Sequence, residues 1–216
     1  MELKELAEVI KARCSVRAWT DKEVPEELLL QAIELATWAP NGGNQQNWRF
    51  YLIMNKEKIQ AIGDAVQAKA EMVAAWPEAA EHMDLARLQG RYSFFRNVPA
   101  AIAVGASQYQ SPVDKVMALR EGADPESGKI RSWRNTADSR IQSVSAAISY
   151  LMLVLHQMGL GALWMTGPMQ AKEEIEKILQ VPSEFDIIAF IPIGYAASPP
   201  GERSRKPVTE VCEIIR

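Results

Sequence analysis

Apolar residues recur at helical spacing in two stretches near the start of the chain. Leu3, Leu6, Ala7 and Ile10 line one side of a short helix that ends near Arg13. Pro25, suited to a first helical turn, opens a second helix through Leu28, Ile33 and Leu35, and Pro40 stops it. Asn41 to Asn47 is loop. Trp48 to Met54 is an aromatic and aliphatic run of strand length, followed by helical material from about Glu57 to Trp76 and again from Ala79 to Gln89. Ala100 to Val104 predicts a second strand. The polar stretch from Ser107 to Asn135, with Pro112, Gly122, Pro125 and Gly128, predicts a mobile excursion holding one short helix.

From Asp138 to Met158 the positions Ile141, Val144, Ile148, Leu151, Leu155 and Met158 fall three and four apart, and Ala147, Met152 and Val154 widen the stripe. That pattern predicts a central helix buried on most sides. Gly159-Leu160-Gly161 ends it. A third strand is expected over Ala162 to Thr166, a short charged helix over Lys172 to Leu179 and a fourth strand over Asp186 to Tyr195. No Lys, Arg, Asp or Glu occurs from Ile141 to Ala171. Gly159, Gly161 and Pro168 nevertheless break this stretch where a membrane span needs about 20 unbroken apolar residues, so it predicts buried core. Helices and strands mix without strict βαβ alternation, and no glycine-rich fingerprint follows a strand, which favours an α+β layer fold over a doubly wound one.

Composition narrows the class. A chain of 216 residues, 48% hydrophobic, fills one core, so residues 1–216 are expected to form a single domain. A net charge of −3 with interspersed signs gives no basic field for a nucleic acid or an anionic membrane. Cys14 and Cys212 lack metal-binding or disulfide spacing, and His82 and His156 are too few and too separated for a metal site or a triad. The charged N-terminus carries no secretory run, and a reducing, cytoplasmic setting is expected.

Four segments carry candidate chemistry. Arg13, Ser15 and Arg17 alternate, so an extended backbone projects two guanidiniums and a hydroxyl to one side, a set suited to a phosphate monoester. Cys14 lies among them, either as filler or as a thiol acidified by its cationic neighbours. The loop Asn41-Gly42-Gly43-Asn44-Gln45-Gln46-Asn47 consists of amides and glycine only, neutral donors and acceptors that match the edge of a flat heterocycle displaying N–H and C=O groups. Thr166-Gly167 leaves the third strand where backbone N–H groups can face a ring. Arg203 and Arg205 offer a second cationic arm. Singly, these patterns equally fit a solvated strand edge, a polar turn, a strand end and a basic tail.

Together, in this order, they resemble the nitroreductase family of flavoproteins, over nearly the whole chain from Ala12 to Val211. The family's Arg-x-Ser-x-Arg/Lys motif is matched by Arg13, Ser15 and Arg17, with Cys14 inside it. Its Ala-Pro-Ser-x-x-Asn-x-Gln-Pro-Trp motif is matched by Ala39, Pro40, Asn44, Gln46 and Trp48, with Asn41 and Asn47 in place of the serine and the second proline and Gly42 beside them. The resemblance implies an α+β fold with a mostly antiparallel sheet flanked by helices and a long buried helix at a dimer interface. It implies FMN as cofactor, NAD(P)H as electron donor, a small organic acceptor reduced by ping-pong hydride transfer, and a homodimer whose flavin sites combine the arginine motif of one chain with the amide loop of the other. Arg13, Ser15, Arg203 and Arg205 fall on phosphate and ribityl contacts, Arg17 on the flavin N1/O2 edge, and Thr166 and Gly167 on its N5 side. The family's polar pair ahead of the second strand has no match, since Tyr92, Phe94 and Phe95 occupy that neighbourhood. The two excursions, 65–95 and 107–135, are expected to roof the acceptor site with Trp76, Tyr92, Phe94, Tyr109 and Trp133.

Overall fold

The structure is a computed structural model, which describes residues 2–82, 92–109, 111–199, 201 and 203–216. Helix α1 spans Leu3–Ala12, α2 Glu26–Ala36, α3 Lys56–Ala74 and α4 Ala79–His82. Strands β1 (Trp48–Ile53), β2 (Ala100–Ser107), β3 (Gly161–Ala162) and β4 (Phe185–Gly194) form one sheet in the order β1-β2-β4-β3, every pairing antiparallel. Helices α5 (Pro112–Arg120), α6 (Pro125–Ala137), α7 (Ser139–Gln157), α8 (Lys172–Leu179) and α9 (Val208–Val211) complete the chain. Helices cover the sheet on both faces, as expected of an α+β layer fold.

The period-two alternation of β2 divides the core. Ala100, Ile102, Val104 and Ala106 face α2 and α7, whereas Ala101 and Ala103 face α3 and α8. In β4 the alternation slips by one residue. Val104 pairs with Ala189 and Gly105 with Ile187, so Ile188 is the extra residue of a bulge. Ile188 and Ala189 accordingly both pack on the first core, and Phe190 returns to the second. The central helix α7 buries Val144, Ala147, Ile148, Leu151 and Leu155 completely, each large side chain worth roughly 2 kcal/mol of transfer from water. No helix among the described residues is long and apolar enough to cross a membrane.

Two expectations need correction. The polar stretch 107–135 is a helical hairpin, α5 and α6. Pro112 and Pro125, taken as loop signals, occupy first turns behind the caps Ser111 and Asp124, whose side chains accept from Asp114 N at 3.4 Å and Glu126 N at 3.0 Å. Buried Ser127 ties the pair by donating to Met117 O at 2.7 Å. Strand β3 is shorter than expected because of Pro192. Leu163 N donates to Pro192 O at 3.3 Å, but the proline has no N–H to return, and pairing resumes only at Met165 with Phe190. Of the aromatics expected in the roof, Trp76, Phe94 and Trp133 are exposed, Phe94 stacking on Trp19 at 6.1 Å, while Tyr92 packs half-buried against the second core. The helix expected over Ala79 to Gln89 is present as α4 to His82, and its remainder lies outside the described residues.

Candidate functional site

Beyond α1 the chain turns extended at Arg13 (φ −55°, ψ 128°). Ser15 bridges Ala162 in parallel, and Val16 N donates to Ala162 O at 3.1 Å. Val16 packs onto Gly161, where a Cβ would lie 2.7 Å from Val16 Cγ2. With Val16 turned into the sheet, its neighbours Ser15 and Arg17 project outward and are exposed, as the alternation requires. Trp19 anchors the far end of the segment, its Nε1 donating to Gly161 O at 2.9 Å. The backbone of the arginine motif is thus consumed by the sheet while its side chains stay outside. Among the described residues none hydrogen-bonds or ion-pairs with the Arg17 guanidinium.

Arg203 arrives beside Arg13 but is turned onto the end of α1. Its Nη2 donates to Lys11 O at 3.0 Å and Ala12 O at 2.8 Å, and its Nη1 to Arg13 O. These carbonyls have no partner inside the helix, and a cation there meets the negative end of the helix dipole. Arg205 is exposed and donates to its neighbour Ser204 O at 2.8 Å. His156, in the last turn of α7, is half-buried nearby. Burial first, then the charges of Arg13 and Arg203, hold its imidazole below the usual histidine range. Cys14 is half-buried and Cys212 exposed, both as free thiols.

The amide loop lies at the opposite end of α7. Gly42 N donates to Ser143 Oγ at 3.2 Å, while Ser143 itself donates to Ser139 O at 2.8 Å. Asn41 turns inward, its Oδ1 accepting from Gln46 N at 2.9 Å and its Nδ2 reaching Ala39 O at 3.3 Å. Asn47 is buried and donates to Ser107 O at 3.2 Å, leaving its Oδ1 without a partner. Gly43, Asn44 and Gln46 adopt positive φ (59°, 50° and 46°), the left-handed region that glycine and asparagine tolerate best. Asn44, Gln45 and Gln46 are exposed and Pro40 leads in. The ring of Tyr109 covers Gly42, where a Cβ would lie 2.7 Å from Tyr109 Cε2. Thr166 and Gly167 are exposed at the start of a 3-10 turn, Gly167–Ala171, with open space over Gly167.

The predicted residues therefore form two groups. Arg13, Ser15, Arg17 and Arg203 gather near His156; Asn41, Gly42, Asn44 and Gln46 gather near Ser143, thirteen residues away along α7, which at about 1.5 Å per residue is roughly 20 Å. Sequence reasoning missed Ser143 and the structural use of Asn47, and it named Tyr109 only as part of the aromatic roof, not as the cover over Gly42. A serine inside the apolar stripe of α7 was the one signal for the first.

Comparison with known proteins settles the family. The model described as the nitroreductase family matches residues 10–195. The chain belongs to the nitroreductase family. Among relatives of this nitroreductase-family chain, an iodotyrosine deiodinase of Thermotoga neapolitana is 27% identical over 209 residues, 95% of this chain and 96% of that protein. A BluB-like flavoprotein from Clostridium difficile 630 superposes with a TM-score of 0.83 at 24% identity, covering both chains completely. A nitroreductase with bound FMN from Desulfitobacterium hafniense DCB-2 gives 0.71 at 19% identity, again over the whole of both chains. The family resemblance drawn from the motifs is thereby met, and the nitroreductase-like α+β fold with it.

Proposed function

We propose that the protein is a cytoplasmic FMN-dependent oxidoreductase that takes electrons from NAD(P)H and passes them to a small organic acceptor in a ping-pong cycle. The observation that carries this is the arginine segment: a guanidinium and a hydroxyl on alternate residues, held outward because Val16 is locked onto Gly161. This donor set fits a phosphorylated, ribityl-bearing ring. Exposed Asn44 and Gln46 fit the polar edge of such a ring, and open Gly167 allows backbone to approach it. When bound, FMN would supply the hydride chemistry. The protein's share is to grip the phosphate through Arg13, Ser15 and Arg205, to set Arg17 beside the pyrimidine edge where a cation favours the reduced cofactor, and to keep water from the stacking face. Arg203 contributes by holding the backbone of the motif.

A separation of roughly 20 Å along α7 argues that the two groups in one chain serve different rings. We infer a homodimer in which the arginine segment of one copy meets the amide loop of the other. Exposed Leu30 on α2, exposed Trp38 just beyond its end and exposed Tyr150 on α7 offer apolar surface for that second copy.

The test is the visible spectrum of the purified protein, followed anaerobically during addition of NADH or NADPH. A flavin spectrum that bleaches and is restored by a quinone or nitroarene is expected. Colourless protein that ignores added FMN refutes the cofactor, and a flavin that does not bleach leaves a binding protein without turnover. A second reading, reductive dehalogenation on the same site, is favoured by the deiodinase relative, and release of iodide from an iodinated phenol distinguishes it.

A further inference from the structure

The hairpin of α5 and α6 encloses, with the start of α7, a cavity of about 480 Å3, inside the range in which small organic molecules are held. Its wall carries four cations, Lys115, Arg131, Arg134 and Arg140, against two carboxylates, Asp114 and Asp138. Both carboxylates are engaged: Asp114 accepts from Arg134 Nη2 at 3.1 Å, and Asp138 caps α7 by accepting from Ile141 N at 3.1 Å. Arg131 pairs with Glu121, and Arg140 with Asp186 at 2.6 Å. These pairs anchor the guanidiniums on the wall, yet each guanidinium carries five N–H donors, more than one carboxylate takes up. The N-terminal end of α7 adds positive potential to the same wall. Tyr109 lines the cavity and covers Gly42, so cavity and amide loop share a wall.

We propose that this cavity is an anion subsite that takes the carboxylate or phosphate of a small organic molecule while its planar part reaches the amide loop. The placing of a redox ring at that loop rests on the function proposed above, whereas the capture of an anion here does not. An acidic group of that kind has two sources, the acceptor itself or the 2′-phosphate that distinguishes NADPH from NADH.

Calorimetry on the protein as purified separates these, with 4-nitrobenzoate against neutral 4-nitrobenzyl alcohol and NADP+ against NAD+ as probes. Wild-type protein should prefer the more acidic member of at least one pair, and the preference should fade as salt rises. The double variant Lys115→Gln with Arg131→Gln should weaken that member about tenfold or more and leave its counterpart within about twofold. A loss confined to 4-nitrobenzoate assigns the site to the acceptor, and one confined to NADP+ assigns it to the donor. Equal changes across all four probes, or no preference in the wild type, overturn the proposal. Should the double variant melt early, Lys115→Glu alone, an exposed charge reversal, must still abolish the preference. Flavin uptake should be unchanged in these variants. Wild-type protein that takes up no flavin yet binds the anions would sink the proposed function and leave the subsite standing.

Discussion

The two ends of α7 solve one problem in opposite ways. At the His156 end the arginine segment gives its backbone to the sheet and keeps its side chains outside: Val16 N bonds Ala162 O, Val16 fills the space over Gly161, and Ser15 and Arg17 are left facing out. At the Ser143 end the amide loop has no strand partner through most of its length, so its side chains must do the holding. Asn41 closes the loop on Gln46, Asn47 clips it to Ser107, and Gly42 hangs on Ser143. A segment with a sheet beside it can devote every alternate side chain to a ligand. A free-standing loop must divide them between its own structure and the ligand, which is why only Asn44, Gln45 and Gln46 of the loop's five amide side chains are exposed.

The sharpest way to break the first arrangement is to deny the close approach. In Gly161→Val the new Cβ falls 2.7 Å from Val16 Cγ2 and 2.9 Å from its Cβ, with further methyls beyond. Overpacking of this kind costs about 1–3 kcal/mol, and the segment must lift from β3 to relieve it. We expect a lower denaturant midpoint and loss of flavin uptake together. Retained uptake in a destabilised variant would show that the outward set does not depend on the strand contact.

The second arrangement should yield less. Asn41→Ala removes the acceptor for Gln46 N and the donor to Ala39 O. The loop is largely exposed, so water replaces part of what is lost and the cost is about 1 kcal/mol. Faster amide exchange across residues 42–46, with little change in global stability, is the expected signature. A drop as large as that of Gly161→Val would mean that the loop is as deeply built in as the strand.

This contrast also explains what the sequence discloses. Helix α7 is legible because its burial follows the helical period, strands β1 and β4 because each is a mainly aromatic and aliphatic run of strand length, and the arginine motif because alternation alone dictates where Ser15 and Arg17 point. The amide loop is legible only as a composition. Seven residues of amide and glycine announce a special backbone, but nothing in them says that Asn41 and Asn47 serve the fold while Asn44 faces solvent, because that division depends on where Ser107 and Ser143 arrive. The hairpin of α5 and α6 was obscured for a related reason. Proline and glycine mark turns and first helical turns alike, and the caps Ser111 and Asp124 decide between them. Arg203 falls in the same class: a basic tail residue whose carbonyl partners at the end of α1 lie some 190 residues earlier in the chain.

The smallest effect expected separates the ends by pH. His156 has its pKa lowered in the folded protein by burial, with Arg13 and Arg203 adding to it. Between that lowered value and the unfolded value of about 6.5, the unfolded chain binds more protons. The stability contributed by neutral His156 is therefore whole above about pH 6.5 and declines as the pH falls below it. In the hairpin at the other end, Asp114 is held below its ordinary range, chiefly by its hydrogen bonds from Arg134. Its contribution persists through this window and is lost only below about pH 4. Hydrogen exchange followed by mass spectrometry, corrected for intrinsic rates, should accordingly show α1 and the segment around Arg203 loosening between pH 7 and 5.5 while α5 and α6 stay protected. His156→Gln should flatten that response without touching the hairpin. If the hairpin loosens first, or the variant loosens as the wild type does, the imidazole is not what couples the arginine end to pH.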